Sequence, residues 1–266
     1  MDNSYLPKLK RKKYWQKWSI AFKIIPLVLM IAILKFVANQ FALEIMDLNA
    51  LFTSLVAGTI FLIGFLSSGV LSDYKESEKI PTEIAASLKT LLDDTLTVYK
   101  SKNSPTALEF IAFQKSFVKS MVDWFYKIET TTAMLEKISS MNTFFAQLDS
   151  EGLQAPYIIK MKNEQNAIRK MLMRIDTIRE TDFVSSAYAI VEIMGGMISI
   201  GLIIIKIEPF YVSLFFTVIV TFLIYYMVFL IKDLDNPFDY STNGESGTEI
   251  SLMPIHQHED SLQNIK

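Results

Sequence analysis

The run from Leu51 to Leu71, LFTSLVAGTIFLIGFLSSGVL, holds twenty-one residues without a charge. At about 1.5 Å per residue a helix of that length crosses the roughly 30 Å hydrocarbon core of a bilayer. It leads into SDYKESEKIPTEIAASL, which is polar and helix-forming and carries no strong break before Pro81. The pattern predicts one long helix that lines or supports something in the membrane and then projects into water.

Three further apolar stretches accompany it, from about Ile20 to Phe41, Phe183 to Ile205 and Phe210 to Ile231. Lys23 and Lys35 fall near the two ends of the first, where their stems can snorkel to the headgroups. A short acidic connection with Glu44 and Asp47 joins the first span to the second. Only Lys206-Ile207-Glu208-Pro209 separates the last two, so they are expected to form a tight antiparallel hairpin.

Charge is graded along the chain. Seven Lys or Arg stand against Asp2 alone up to Lys23, whereas two Lys face seven Asp or Glu from Lys232 onward. The basic run of Lys8, Lys10, Arg11, Lys12, Lys13 and Lys17, interleaved with Tyr14, Trp15 and Trp18, reads as a positive-inside anchor with interfacial aromatics. Its place directly before a span disfavours nucleic-acid binding, and its length, with an apolar stretch that runs on without a clear small-residue cleavage site, disfavours a cleaved signal peptide. Four crossings then put both termini and the polar insert on the cytoplasmic side of the cell (inner or plasma) membrane. The expected organisation is a basic N-terminus (1–19), two spans (20–71), a cytoplasmic helical domain (72–182), two spans (183–231) and an acidic tail (232–266).

The insert is balanced, with fifteen Lys or Arg against sixteen Asp or Glu between Ser72 and Asp182. Apolar residues recur at helical spacing: Ile84, Leu88, Leu91, Leu92 and Tyr99; Phe110, Phe113, Phe117, Met121 and Trp124; Met134, Ile138, Met141, Phe145 and Leu148; Ile168, Met171, Leu172, Ile175 and Ile178. Turn chemistry falls at Asn103-Ser104-Pro105, Ser150-Glu151-Gly152 and Ala155-Pro156. The fold class is therefore an all-α membrane protein, with four transmembrane helices (2+2) and an insert of about four helices. After the last span Asn236-Pro237 signals a turn, and Ser241 to Thr248 has the composition of a flexible linker.

Chemistry-bearing constellations are few. The absence of cysteine excludes a disulfide, a thiolate metal site and a thiol nucleophile. His256 and His258, the only histidines, lie in HQHED, which reads as a solvated tail. No phosphate loop, nucleophile elbow or HExxH stretch occurs, so no enzyme is expected. Glu192 is more informative, because it falls about nine residues into the third span. A carboxylate at that depth belongs either to an ion or proton path, or to a structural pairing or interface. Gly195, Gly196 and Gly201 follow it and allow close helix contact. On the second span Gly58, Gly64 and Gly69, with Ser67 and Ser68, form a small-residue surface that serves either close packing or the axis of an oligomeric pore. Asp233, Asp235 and Asp239 offer hard oxygen ligands for calcium, or simply an acidic exit from a membrane helix; they do not make an EF-hand loop.

Two spans, a helical insert, two spans and an acid-Pro-Phe exit resemble the bestrophin architecture, and more closely the bacterial bestrophin-like domain family. SDYKESEKIPTEIAASL is similar to the bestrophin stretch in which a tyrosine and a Glu-x-Arg/Lys pair follow the pore helix, here Tyr74, Glu78 and Lys79. DLDNPFDY is similar to the Glu-Asp-Pro-Phe-Gly exit, here Asp235-Asn236-Pro237-Phe238, with Asp239 in place of the glycine. The resemblance implies a pentameric, mostly anion-selective ion channel, with a hydrophobic neck on the second span and, as in animal bestrophins, a calcium clasp after the fourth. In family register the pore-lining neck positions are Ile60, Gly64 and Ser68, of which only Ile60 is bulky and apolar. Either the register slips toward Phe61, Phe65 and Leu66, or this gate is missing. The clasp positions are Asp233, Asp235 and Asp239, without the family's dense acidic run. Expected partners are the lipid bilayer, further copies of the chain and small inorganic ions; no nucleic acid and, calcium apart, no cofactor is expected. The alternative is a non-conducting membrane scaffold whose cytoplasmic helices bind a partner through an apolar groove among Phe110, Phe113 and Trp124.

Overall fold

A computed structural model describes residues 18–180, 185–240 and 249–264. The basic N-terminal anchor (1–17), the first residues of the third span and the Ser241–Thr248 linker lie outside them. In chain order the elements are α1 (Ser19–Gln40), β1 (Met46–Asp47), α2 (Ala50–Ser77), α3 (Ile80–Lys102), α4 (Pro105–Phe125), α5 (Thr131–Ser150), α6 (Ala155–Glu180), α7 (Ser185–Ile204), β2 (Ile205–Lys206), α8 (Phe210–Asp235) and α9 (Met253–Gln263). The long helix expected from the second span is interrupted only at Glu78 and Lys79, a two-residue turn, with Pro81 in the first turn of α3. The chain divides into two compact units, residues 18–74 with 185–235 and residues 75–180 with 236–264.

Among the described residues four helices are long and apolar enough to cross a membrane, all in the first unit, and the chain is a membrane protein. Its α1 lies antiparallel to α8. Ile20, Ile24 and Val28 pack with Val218, Tyr225, Tyr226 and Leu230, and Phe36 meets Phe210 edge-on at 6.1 Å. One face of α2 (Phe52, Ile63, Leu66 and Val70) closes a core with Val191, Ile198 and Leu202 of α7 and Ile224, Val228 and Ile231 of α8. Phe52 sweeps across α7 at Gly201, where an added Cβ would stand 2.3 Å from its ring.

Lys35 corrects the snorkelling expectation. It is fully buried and forms an ion pair with Glu44 at 2.5 Å. Its ammonium donates to the Ile205 carbonyl and, at 3.4 Å, to that of Ile203. Asn39 donates to the other oxygen of Glu44 at 2.9 Å. The carbonyls at the end of a helix lack intrahelical partners and carry the negative end of its dipole, so the C-terminus of α7 is a natural seat for a cation. Beside it, β1 and β2 pair in parallel, Met46 with Ile205 and Asp47 with Lys206, which joins the α1–α2 and α7–α8 connections at one end of the unit. Burial pushes the Glu44 carboxyl up, but hydrogen bonds from Lys35 and Asn39, with the charges of Lys35 and Lys206, outweigh it and hold the group below the usual carboxylate range.

The second unit contains the four-helix bundle α3–α6, broken where turn chemistry predicts. Asn103 ends α3 in the left-handed region at φ 50°. Ser104 caps α4 by accepting from the Ala107 amide at 3.0 Å, while Ser104 and Thr106 both donate to Glu151. The stripe residues Leu88, Leu91, Phe117, Met121, Ile138, Met141, Ile168 and Leu172 are all buried.

The tail departs from its reading as a solvated acidic segment. Phe238 packs tilted and Tyr240 edge-on against Phe125, with ring centroids 6.4 and 5.9 Å away. The Tyr240 hydroxyl donates to the Ile250 carbonyl at 2.6 Å, and the Ile250 amide donates to that of Pro237 at 3.0 Å. α9 then packs on α3 and α4 with Ile255, His258 and Leu262 inward. The physical reason is amphipathicity: Ile250, Leu252, Ile255 and Leu262 give the tail an apolar face that charge counting hides. His258 is thus buried rather than solvated. Burial pushes its imidazole pKa down, Lys89 adds to this and Asp93 opposes it.

Two outcomes follow. Lys35→Met leaves a buried carboxylate without its cation and should cost about 3–5 kcal/mol, read as an earlier unfolding transition in detergent; Lys35→Met with Glu44→Gln should recover much of the loss. A His with a folded pKa below its unfolded value, about 6.5, withdraws stability as pH falls through that unfolded value. Protection factors of residues 253–263, taken relative to the intrinsic exchange rate at each pH, should therefore fall between pH 7.5 and 5.5, and His258→Gln should flatten that dependence.

Candidate functional site

The two faces of α2 meet different surroundings. Asn49 starts the helix by accepting from the Phe52 amide at 2.9 Å. The packed face centres on Ile63, and helical rotation places Phe61, Phe65 and Ser68 opposite it, with Ile60 and Gly64 on the flank. Phe61 and Phe65 are 77% and 69% exposed and Ile60 41%, whereas Leu66 is 7% exposed. Of the bulky residues offered for a slipped register, Leu66 therefore belongs to the core and the two phenylalanines to the free face. Gly64 and Ser68 are exposed as well. A Cβ at Gly58 or Gly64 would meet nothing within 4 Å, so these glycines do not serve helix packing inside the chain. On α7 a Cβ at Gly195 would lie 3.2 Å from Ile224, so Gly195 and Gly201 do pack, whereas Gly196 faces open space.

Glu192 is paired. Lys232, in the last turn of α8, donates to its carboxylate, and each side chain is 49% exposed. Two opposite charges side by side are tolerated near a membrane where either alone would be costly. Sequence reading missed this partner because it assigned Lys232 to the tail, whereas α8 runs to Asp235. A base directly after an apolar span, on the helix next to an acid-bearing one, was the available signal.

The acidic exit places Asp233 and Asp235 in the last turn of α8 and Asp239 beyond it. Asp239 is taken up by Lys127 at 2.5 Å, and among the described residues no three Asp, Glu, His or Cys side chains stand together as metal ligands. Calcium takes six to eight oxygens, so these three carboxylates of one chain would form only part of such a shell. Arg179 stacks 4.6 Å over the Trp124 ring and donates to the carbonyls of Trp124 and Phe125 at the end of α4.

The groove proposed among Phe110, Phe113 and Trp124 is also corrected. Phe110 and Trp124 are buried. Phe110 stacks on Phe144 at 5.0 Å, and the Trp124 indole donates to Thr131 at 3.0 Å, which donates in turn to Asp176. Neighbouring helices fill the space a partner would need.

A four-helix membrane unit joined to a helical bundle, with an aromatic exit segment docked on that bundle, defines a class of helical membrane protein. The structure is similar to two variant crystal structures of a bacterial Bestrophin homolog from Klebsiella pneumoniae. For one, the TM-score is 0.76 at 16% identity, covering 91% of this chain and 98% of that one. For the other it is 0.76 at 16%, covering 92% and 97%. A solved variant of a protein described only as a membrane protein aligns at 0.75 and 15% identity, covering 92% and 97%. The chain has a bestrophin-like fold. Its sequence matches no family profile and no curated protein.

Because the acidic exit lacks a donor set, calcium at about 1 mM, the weak end of protein calcium sites, should leave the thermal unfolding midpoint unchanged relative to a chelator. An upward shift would show that the aspartates rearrange around the ion.

Proposed function

We propose that the chain is one subunit of an oligomeric ion channel in which copies of α2 surround a shared axis. The observation that carries this is the free face of α2, where Phe61, Phe65, Gly64 and Ser68 stand opposite a packed face and Gly58 and Gly64 have no intrachain neighbour. The unit's own interior is filled by Ile63, Ile198 and Ile224, so a conducting path has to run between copies. The bestrophin-like fold supports the same reading, and five copies is the number the resemblance implies.

In this arrangement Phe61 and Phe65 form a narrow apolar constriction of the kind that gates by dewetting. Ile60 and Gly64 flank it, and Ser68 follows as a hydroxyl ring. No charge lies between Leu51 and Leu71, so α2 contributes no ring that selects by sign. Selection between anions and monovalent cations falls to charges near the ends of the path, with Glu192 and Lys232 the candidates on α7 and α8. The basic N-terminal run favours a cell membrane location with the termini and the helical bundle on the cytoplasmic side. The function requires no bond-making chemistry of the chain.

Purified protein in liposomes under separate chloride and sodium gradients, with oligomer mass measured in the same preparation, tests this. Flux of at least one ion from a multimer is expected. Phe65→Ala should raise that flux several-fold, and Glu192→Gln should change the chloride-to-sodium ratio with assembly intact. A folded multimer that passes neither ion would refute the channel and favour the scaffold.

A further inference from the structure

The buried face of α8 changes character along its length. Toward the end of the helix it is Ile224, Val228 and Ile231, which belong to the apolar core of the first unit. Nearer the start it is Ser213, Thr217 and Thr221, each at most 1% exposed. These three recur every fourth residue and so form one stripe, rising about 12 Å from Ser213 to Thr221.

Hydroxyls inside a membrane helix commonly bond back to the carbonyl one turn earlier. Thr217 does so, donating to the Ser213 carbonyl at 2.8 Å, as do Thr59 to that of Leu55 at 2.9 Å and Ser199 to that of Gly195 at 2.8 Å. The hydroxyls of Ser213 and Thr221 take no such bond, and among the described residues neither has a hydrogen-bond partner. A buried polar atom left unpaired is costly and rare in a folded protein, and hydrocarbon offers no bulk water to relieve it.

Other polar groups near them are only loosely paired. Thr217 lies 3.5 Å from the Leu202 carbonyl, and Lys35 lies 3.4 Å from that of Ile203. Both carbonyls belong to the last turn of α7, where no intrahelical donor reaches them. Ser213 stands one turn from Thr217 toward the α7–α8 connection, on the side of this helix end. Thr221 stands one turn from Thr217 the other way and one turn from Tyr225, whose hydroxyl is 3.4 Å from that of Ser199 on α7.

We infer that two buried water molecules are bound along the α7–α8 seam. One joins Ser213 to the last-turn carbonyls of α7, and the other joins Thr221 to Tyr225 and Ser199. Water fits because it donates and accepts at once, and a buried water is held by about three such groups. An ion fits less well: Lys35 is already neutralised by Glu44, and a further charge would be buried without a partner. A lipid tail would leave the hydroxyls unpaired. The bound water lies inside the packed unit, apart from the free face of α2, and takes no part in the proposed conduction path.

The test is a density map of the full chain in nanodiscs, at a resolution that shows ordered water on the protein surface, with unfolding midpoints of variants measured in the same lipid. Density is expected within hydrogen-bond distance of both the Ser213 and Thr221 hydroxyls. Thr221→Val keeps the shape of the side chain and removes its hydroxyl. If the hydroxyl holds a water, the midpoint should fall by at least about 2 °C; if it is an unpaired group, losing it should raise the midpoint. Ser213→Ala should likewise lower the midpoint, whereas Thr59→Val, which loses only a bond to its own helix, should leave it nearly unchanged. A map without density at either hydroxyl overturns the inference and needs no variant to fold. So does a folded Thr221→Val protein whose midpoint is unchanged or raised.

Discussion

One buried cation holds the membrane unit in register. In hydrocarbon a helix end cannot leave its last carbonyls to water, and a lone ammonium cannot remain unpaired. Lys35 resolves both at once, meeting the end of α7 through Ile203 and Ile205 and the α1–α2 connection through Glu44. The two-residue β pair beside it adds backbone bonds between the same connections. One partner segment lies nine residues from this side chain and the other about 170, and both converge on it. The approach of α2 to α7, and with it the direction of its free face, is set from this end.

That convergence also explains what the sequence did and did not disclose. The spans and the four bundle helices were legible because their signals are local: apolar runs of spanning length, helical spacing, and turn residues such as Asn103 and Gly152. Lys35 was misplaced because its carbonyl partners lie 168 and 170 residues away, and a lysine near a span end looks the same whether it reaches for headgroups or for a helix terminus. Lys127 likewise turned Asp239 from a candidate calcium ligand into one half of an ion pair. His258 was read from its polar neighbours, whereas the buried face of α9 decides its surroundings.

The candidate site was legible in place but not in orientation. The run from Leu51 to Leu71 is apolar on every side, so periodicity alone cannot separate a face that packs from one that does not. Residue type is equally silent. Gly58 and Gly201 are the same residue, yet one opens onto empty space and the other leaves room for Phe52. Only the packing partners tell them apart, which is why Leu66 moved into the core while Phe61 and Phe65 stayed outside it.

The second unit is discontinuous in sequence. Its α3–α6 bundle is synthesised before α7 and α8, but Phe238, Tyr240, Ile255 and Leu262, which cover part of that bundle, come after both. The bundle therefore spends the insertion of the last hairpin with an apolar flank still exposed. It closes only when the final residues arrive, so completion of this unit reports that the last two spans have already been made.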